Sequence, residues 1–192
     1  MRPAGAGMDR RMTYSETLQK VRRRARAEAA QYANGEARPL AGYAATMGTY
    51  AGTAGLLLTA AKLASRDVPE RPAWSDLALA SLATFKLSRL LAKDPVTSPL
   101  RAPFTRFRGT TGPSELAEEP REGSTVRHSV GELVSCPFCL SQWVATLFVG
   151  GLVLAPRVTR MTAATFSVVA VSDFLQFART AAEQATGETG DA

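Results

Sequence analysis

The sequence has few of the residues that build covalent or aromatic frameworks. It contains two cysteines and one histidine among 192 residues, so a secreted disulfide framework is excluded and a metal site is short of ligands. Aromatic residues make up 7% of the chain, and the alternation that marks half-buried strands is scarce. The first forty residues are basic and lack the apolar stretch of a signal peptide. We therefore expect an all-α protein in which any membrane insertion uses internal segments.

Charge and apolar character are unevenly distributed along the chain. The formal net charge is +6, from 23 Lys and Arg against 17 Asp and Glu, which permits an acidic partner such as anionic lipid or nucleic acid. The apolar residues gather in blocks, and most basic residues lie between them. The lengths of these blocks predict an integral membrane bundle of about four transmembrane helices. We place the spans at about residues 40–61, 75–91, 136–156 and 161–178.

The first two spans carry features of helix packing. Residues 40–61 have no charge, and Gly48 and Gly52 have the GxxxG spacing that allows helices to approach closely, within the chain or in a homo-oligomer, although such a spacing also occurs by chance. Lys86 and Arg89 interrupt the second run, which either spans the bilayer or lies in its interface, and we predict a span. Asp173 is the one acid inside the fourth span, and we expect it to pair with Lys86 or Arg89.

Residues 1–39 form a basic extension. Thr13 and Glu16 have the capping-box spacing of a helix start, and Asn34 with Gly35 predicts the helix end. Apolar residues recur every three or four positions, so the helix is amphipathic. It serves as a charged cytoplasmic lead-in, as a surface for anionic lipids, or, least favoured, as a nucleic-acid site, since no nucleic-acid module accompanies it. The residues assigned to lipid binding are Arg22, Arg23, Arg24 and Arg26.

The count of basic residues predicts the topology. Sixteen Lys and Arg lie before the first span, between the second and third, and after the fourth, whereas five lie in the other two connections. By the positive-inside rule, both termini and the loop at 95–131 are cytoplasmic, and the protein is a multi-pass protein of the cell (inner) membrane. The loop is rich in Pro, Gly and Ser and is predicted to be flexible. Residues 181–192 are predicted to be a disordered tail.

Cys136 and Cys139 lie three residues apart at the predicted cytoplasmic start of the third span. Ser135 is placed to cap that helix, and Pro137 suits its first turn. A redox pair would use Cys136 as nucleophile and Cys139 as resolving thiol, since a helix start stabilises a thiolate. A zinc site needs about four ligands, of which the chain offers these two thiols, His128 and nearby acids. The remaining interpretation is structural packing, and we predict no cofactor.

The second half of the chain resembles a known family. The residues that carry the resemblance are the runs at 85–91, 99–104 and 131–139, together with Asp94 and Trp143. These runs read FKLSRLL, PLRAPF and GELVSCPFC, and they resemble the domain of unknown function 1360 family, bacterial membrane proteins that include a sporulation membrane protein. The resemblance implies several membrane spans and no established activity. The shared positions are Arg89, Asp94, Arg101, Glu132, Cys136, Cys139 and Trp143.

These observations predict a non-enzymatic component of an envelope or developmental process such as sporulation. The alternatives are a membrane thiol–disulfide oxidoreductase and a metal-binding membrane protein. In each case we expect one polar cluster on the cytoplasmic side. Its expected members are Arg89, Asp94, Arg101, Glu132, Cys136, Cys139 and Asp173.

Overall fold

The computed structural model describes residues 6–36, 38–112 and 114–187. It divides into two compact units, residues 1–40 and 41–192. The described part of the chain is mostly helical, which confirms the predicted class at that level. A single β-hairpin interrupts the helices.

The first unit is dominated by helix α1, Ala6–Ala33. Asn34 and Gly35 adopt positive φ angles of 43° and 86°, and the Glu36 N–H donates to the Ala33 carbonyl at 2.8 Å, so the helix ends where Asn34 and Gly35 predicted. The helix begins before Thr13, because residues 6–12 contain no proline and continue it upstream. Residues 1–5 of the predicted basic extension lie outside the described residues.

The second unit is a bundle of four long helices. These are α2 (Leu40–Leu63), α3 (Trp74–Lys93), α6 (Pro137–Leu154) and α7 (Pro156–Gly187). Helix α3 is central, since it packs against both α6 and α7. The buried core is small and consists of Ala80, Ala83, Val144, Phe148 and Ala163.

Between α3 and α6 the chain forms a compact layer. A short 3₁₀ helix, Pro95–Thr97, leads into α4 (Ser98–Arg101), followed by strands β1 (Thr105–Gly112) and β2 (Glu115–Pro120). The strands pair antiparallel, with Thr105 opposite Pro120 and Gly112 opposite Glu115, and the pairing contains two irregularities. Helix α5, Thr125–Ser135, then packs against β2.

The prediction of a flexible loop at 95–131 was therefore wrong. The region is ordered because charged residues of the strands and of α3 and α4 form ion pairs across the layer, and these pairs join positions far apart in sequence. Glycine, proline and acidic residues are poor strand formers, so local composition favoured a loop.

The last two helices also differ from the prediction. Only Ala155 separates α6 from α7, so the connection expected between the spans at 136–156 and 161–178 is part of α7, which begins with Pro156 in the first helical position. The helix continues to Gly187, beyond the predicted end at 178 and into the predicted disordered tail. Residues 188–192 of that tail lie outside the described residues.

Two helices are long and apolar enough to cross a membrane, α6 over Pro137–Leu154 and α7 over Pro156–Ala185. Helices α2 and α3 match the positions of the first two predicted spans. Among the residues that the structure describes, neither is apolar enough to count as a candidate span. Gly48 and Gly52 of the GxxxG spacing face open space, with no neighbour within 4 Å of where a Cβ atom would lie. Their close packing against another helix of the second unit is therefore not observed.

Candidate functional site

The two cysteines lie at the junction of α5 and α6. Cys136 is the single residue between these helices, and its Sγ accepts a hydrogen bond from the Cys139 N–H at 3.2 Å, so it is the N-cap of α6. Pro137 occupies the first helical position, as predicted. Ser135 was expected to be the cap, but it ends α5 and its hydroxyl donates to the Glu132 carbonyl at 3.3 Å. The cap lies one residue later because α5 extends up to Ser135.

The two thiols are free and face each other. Their Sγ atoms are 2.6 Å apart, with Cys139 exposed and Cys136 half-buried. Cys136 receives the Cys139 N–H and S–H groups at the start of a helix. This is the geometry in which a thiolate on Cys136 is stabilised and a second thiol can attack it once it has reacted.

Two ionisable residues of α5 lie beside this junction. His128 Nε2 is 3.6 Å from Glu132 Oε1. Glu132 Oε2 is buried and has no hydrogen-bond partner in the described part of the chain, and its carboxylate acts electrostatically on Cys139. Within residues 6–36, 38–112 and 114–187, no three His, Cys, Asp or Glu side chains are grouped so that they could hold a metal ion. The two thiols by themselves supply two of the about four ligands that a zinc site needs.

Arg101 is the most buried large side chain, with 1% of its surface exposed. Its Nε and Nη2 donate to the two oxygens of Glu118 at 2.8 and 2.9 Å. The remaining N–H groups reach the Leu91 carbonyl at 2.8 Å, the Thr97 hydroxyl at 2.6 Å and the Asp94 carbonyl at 3.1 Å. All five guanidinium donors are thus used. The pair joins α3, α4 and β2.

The environment of Glu118 favours its charged form. Burial by itself raises the pKa of this carboxyl, but hydrogen bonds from Arg101 and from the Thr105 hydroxyl at 2.8 Å outweigh burial. The net effect holds the pKa of Glu118 below its ordinary value. Asp94 is used differently, because its Oδ1 accepts the Val96 N–H at 2.8 Å and caps the 3₁₀ helix.

The cations of α3 are paired with acids from two other elements. Lys86 Nζ donates to Asp173 Oδ2 of α7 at 2.6 Å, which confirms the expected partner of Asp173. Arg89 forms an ion pair with Glu115 of β2 and lies 5.9 Å from the centre of the Phe85 ring. Both charges in the middle of this apolar helix are therefore compensated.

Trp143 joins α6 to α2. Its ring meets Tyr50 edge to face, with centroids 5.3 Å apart. The Tyr50 hydroxyl also accepts from Gln142 Nε2 at 2.7 Å and lies 2.8 Å from Thr146 Oγ1. This polar patch holds α2 against α6 near the cysteine end of the bundle.

The seven residues expected to converge fall into three sets of contacts. Arg101 and Asp94 share the hairpin layer with Glu118. Arg89 belongs to the same set, because it binds Glu115 of β2. Glu132 accompanies Cys136 and Cys139, and Asp173 pairs with Lys86 of α3.

Sequence reasoning missed the acids that these cations bind, Glu115 and Glu118. It also missed a bidentate ion pair at the other end of the bundle, where Arg160 Nε and Nη2 donate to Asp76 at 2.8 and 2.7 Å. The available signal was that Asp76 and Arg160 begin two predicted spans on the same side of the membrane.

Comparison with known proteins places these contacts in a family. Residues 79–179 match the family described as protein of unknown function (DUF1360), which is more than half of the chain. The chain belongs to this family. The DUF1360 region contains the hairpin layer, the cysteine pair and most of α3, whereas α1, α2 and the first turn of α3 precede it.

One curated relative has a functional name. The chain is 37% identical over 71 residues to the sporulation protein YjcA of Bacillus subtilis (strain 168). The match covers 36% of this chain and 60% of the relative, so the chain spans less than two thirds of the protein it matches. No solved structure matches the chain.

Proposed function

We propose that this DUF1360 protein is a multi-pass membrane protein that acts as a non-enzymatic component of an envelope or developmental process. The observation that carries this proposal is the arrangement of apolar residues. In the described part of the chain, six of the eight buried apolar residues are alanines, whereas many large apolar side chains are exposed. Only 11% of the apolar stretch in α6 and 17% of that in α7 is buried. Water would penalise such a surface, but a bilayer favours it, because helices in lipid pack through small residues.

Helices α2 and α3 complete a four-span arrangement in this proposal. At 1.5 Å per residue, their 24 and 20 residues extend over roughly 36 and 30 Å, enough to cross a bilayer. The interruption of α3 by Lys86 and Arg89 is tolerated because both form ion pairs. The hairpin layer contacts the C-terminal end of α3 and would lie on the cytoplasmic face together with the cysteine pair.

Topology reporters test this arrangement. A reporter placed after Ala192 and another inserted beside Pro113 should both be cytoplasmic. A matched reporter after Asp67, between α2 and α3, should lie on the opposite side. Three reporters on one side would refute the four-span arrangement, and release of the protein from membranes by alkaline carbonate would refute integral insertion.

The name of the relative points to the process rather than to a reaction. YjcA is named a sporulation protein, and we infer a comparable developmental or envelope role for this chain. Deletion in the source bacterium should impair sporulation or envelope integrity without loss of a defined metabolic reaction. If the Cys136→Ser, Cys139→Ser double variant restores the deletion strain, a non-enzymatic role is supported. If the unaltered protein restores the strain and the double variant does not, the thiol chemistry below is favoured.

The cysteine geometry supports a second candidate, thiol–disulfide exchange. Cys136 as thiolate would attack a disulfide of a partner, form a mixed disulfide and release the first partner thiolate. Cys139, after losing its proton, would attack the Cys136 sulfur and release the second partner thiolate, leaving an intramolecular disulfide. Thiol trapping in native membranes tests this reaction. A Cys136–Cys139 disulfide should form with a disulfide reagent and disappear with dithiothreitol, and ordinary alkylation of two permanently reduced thiols would eliminate it.

Two partner proposals concern other parts of the chain. Arg22, Arg23, Arg24 and Arg26 of α1 are exposed, as binding to an anionic leaflet requires, at about 1 kcal/mol per residue. Replacement of all four by Gln should release an α1 fusion from phosphatidylglycerol vesicles and leave its weak binding to phosphatidylcholine unchanged. Homo-oligomerisation through the open Gly48–Gly52 face remains a proposal, and cross-linking in membranes tests it. Zinc analysis of the same material tests whether the cysteine pair binds a metal.

A further inference from the structure

A lateral groove separates α2 from α6 at the end of the bundle opposite the cysteines. It has a volume of about 360 Å³, within the range of ligand pockets. Its lining is almost entirely apolar and includes Ala54, Leu58 and Val68 on one wall and Ala145, Val149 and Val153 on the other. Small residues on both walls leave the space open. A gap of this kind between two helices forfeits packing contacts unless another molecule fills it.

The two helices are in side-chain contact beside this groove. A Cβ atom at Gly150 would come within 2.8 Å of Leu57 Cδ1, so the glycine allows Leu57 to rest on α6. At the cysteine end, Tyr50 joins α2 to Gln142 and Thr146. The groove therefore lies between walls that are held by contacts of their own, rather than between two helices that are free to collapse onto each other.

Two basic residues at the end of α2, Lys62 and Arg66, are close in sequence to the groove residues Ala61 and Val68. The Ser65 N–H donates to the Lys62 carbonyl at 3.0 Å and the Arg66 N–H to the Ala61 carbonyl at 2.9 Å, with Ser65 at φ 49°. These two bonds form a Schellman motif, which reverses the chain and brings Val68 to the groove. Ala61 also lines the groove, so Lys62 and Arg66 follow its wall directly. One acid, Asp67, lies between these two basic residues and Val68.

We propose that this groove binds an acyl chain of an anionic phospholipid whose headgroup phosphate lies near Lys62 and Arg66. The proposal rests on the proposed membrane function, since a lipid tail reaches the groove only from within a bilayer. An apolar tail suits the lining, and a headgroup phosphate would accept hydrogen bonds from the two cations, which form no ion pair with any residue in the described ranges. This site is separate from the basic face of α1.

Lipid retention tests the groove with matched variants. The full chain, purified from membranes in mild detergent, should retain phosphatidylglycerol in native mass spectrometry. Ala145→Phe and Ala54→Phe fill opposite walls and should each abolish retention. Leu147→Phe and Leu56→Phe add aromatic bulk to exposed positions on the same helices and should retain the lipid. Far-UV circular dichroism identifies any variant that fails to fold, and the variant on the other wall then carries the test.

The headgroup assignment has its own measurement. Lys62→Gln with Arg66→Gln should leave a retained lipid but remove the preference for phosphatidylglycerol over phosphatidylethanolamine. A preference unchanged by this double variant would overturn the anionic assignment.

Cross-linking locates the lipid tail without any substitution. In vesicles of phosphatidylglycerol that carries a diazirine midway along one acyl chain, light should label Val149 or Val153 above the level at Leu147. Equal labelling of all three, or cross-links between two copies of the chain at the groove, would refute the lipid site. If the protein resists alkaline carbonate and both Phe variants still retain the lipid, the groove proposal alone is refuted. If carbonate releases the protein, the membrane proposal is refuted as well.

Discussion

The side chain of Arg101 shows how this protein keeps a charge inside a small layer. Burying an ion pair is costly unless the geometry is good and the remaining donors are satisfied. Here the guanidinium uses all five N–H groups on one carboxylate, two carbonyls and one hydroxyl. A lysine presents a point charge with three donors and cannot reproduce this planar arrangement. Arg101 therefore connects the end of α3 to the hairpin through hydrogen bonds.

Replacement of Arg101 by Lys should loosen the hairpin. Removal of one partner from a buried pair costs on the order of 3–5 kcal/mol, so amide exchange in β1 and β2 should become much faster. Hydrogen–deuterium exchange of residues 105–120 measures the change. Arg108→Lys is the control, because its pair with Glu119 is 58% exposed on both sides and should contribute about 1 kcal/mol or less. Equal exchange in the two variants would contradict the role of Arg101.

The hairpin should also lose stability in acid. The pKa of Glu118 is lowered in the folded state, so its contribution is complete above the ordinary glutamate pKa of about 4.3 and is lost as the pH falls through the folded value. Amide exchange of the hairpin, corrected for intrinsic rates, should accelerate between roughly pH 5 and pH 3. Glu118→Gln should be less stable at neutral pH and show a weaker pH dependence. A pH dependence as steep as that of the unaltered chain would assign the effect to another group.

Among the secondary-structure elements, α5 determines where the hairpin rests. This helix follows β2 and ends one residue before the cap of α6, so it connects the layer to the long helices. Gly131 on its buried side makes the contact possible. A Cβ atom there would lie 2.6 Å from the Phe104 carbonyl oxygen and 3.0 Å from Pro120 Cα. Backbone atoms on both sides leave no room for a side chain to move away.

Gly131→Ala should therefore displace the hairpin from α5. Overpacking of this kind typically costs about 1–3 kcal/mol, and the Arg101–Glu118 pair should become accessible at the same time. The matched control is Gly48→Ala, which enters open space on α2 and should stabilise that helix by up to about 1 kcal/mol. Thermal unfolding in detergent, followed by circular dichroism, compares the two. A Gly131→Ala protein that melts with or above Gly48→Ala would contradict the close contact.

At the scale of the whole molecule, the buried apolar residues of the described chain are mostly alanines, and many large apolar residues are exposed. Soluble domains bury their large apolar side chains, because water penalises them. The bundle around α3 instead buries alanines and exposes valines, leucines and phenylalanines along α6 and α7. This distribution, more than the length of any one helix, supports the membrane proposal.

Two substitutions in α7 distinguish these faces. Ala170 is 0% exposed and Val168 is 70% exposed. Ala170→Leu should separate packed helices and cost about 1–3 kcal/mol, whereas Val168→Leu should be tolerated in detergent or lipid. The melting temperatures of the two purified variants measure the difference. A greater loss from Val168→Leu would indicate that the outer face of α7 is covered by protein.

The sequence by itself determined the helices and the position of the cysteine pair. Long apolar runs are visible in any window of residues, and CxxC with proline marks a helix start within one residue of the observed cap. It also indicated the partner of Asp173, since few cations lie in apolar runs. The topology and the thiol chemistry stay predictions.

Only the tertiary structure decided the order of residues 95–131. Glu118 and Glu115 lie in a stretch that reads locally as a loop, and they become strand residues because Arg101 and Arg89, 17 and 26 positions away, bind them. It also separated the predicted single cluster into three sets of contacts. Periodicity reports which face of a helix is apolar, but the pairing of charges depends on how helices and strands meet in space.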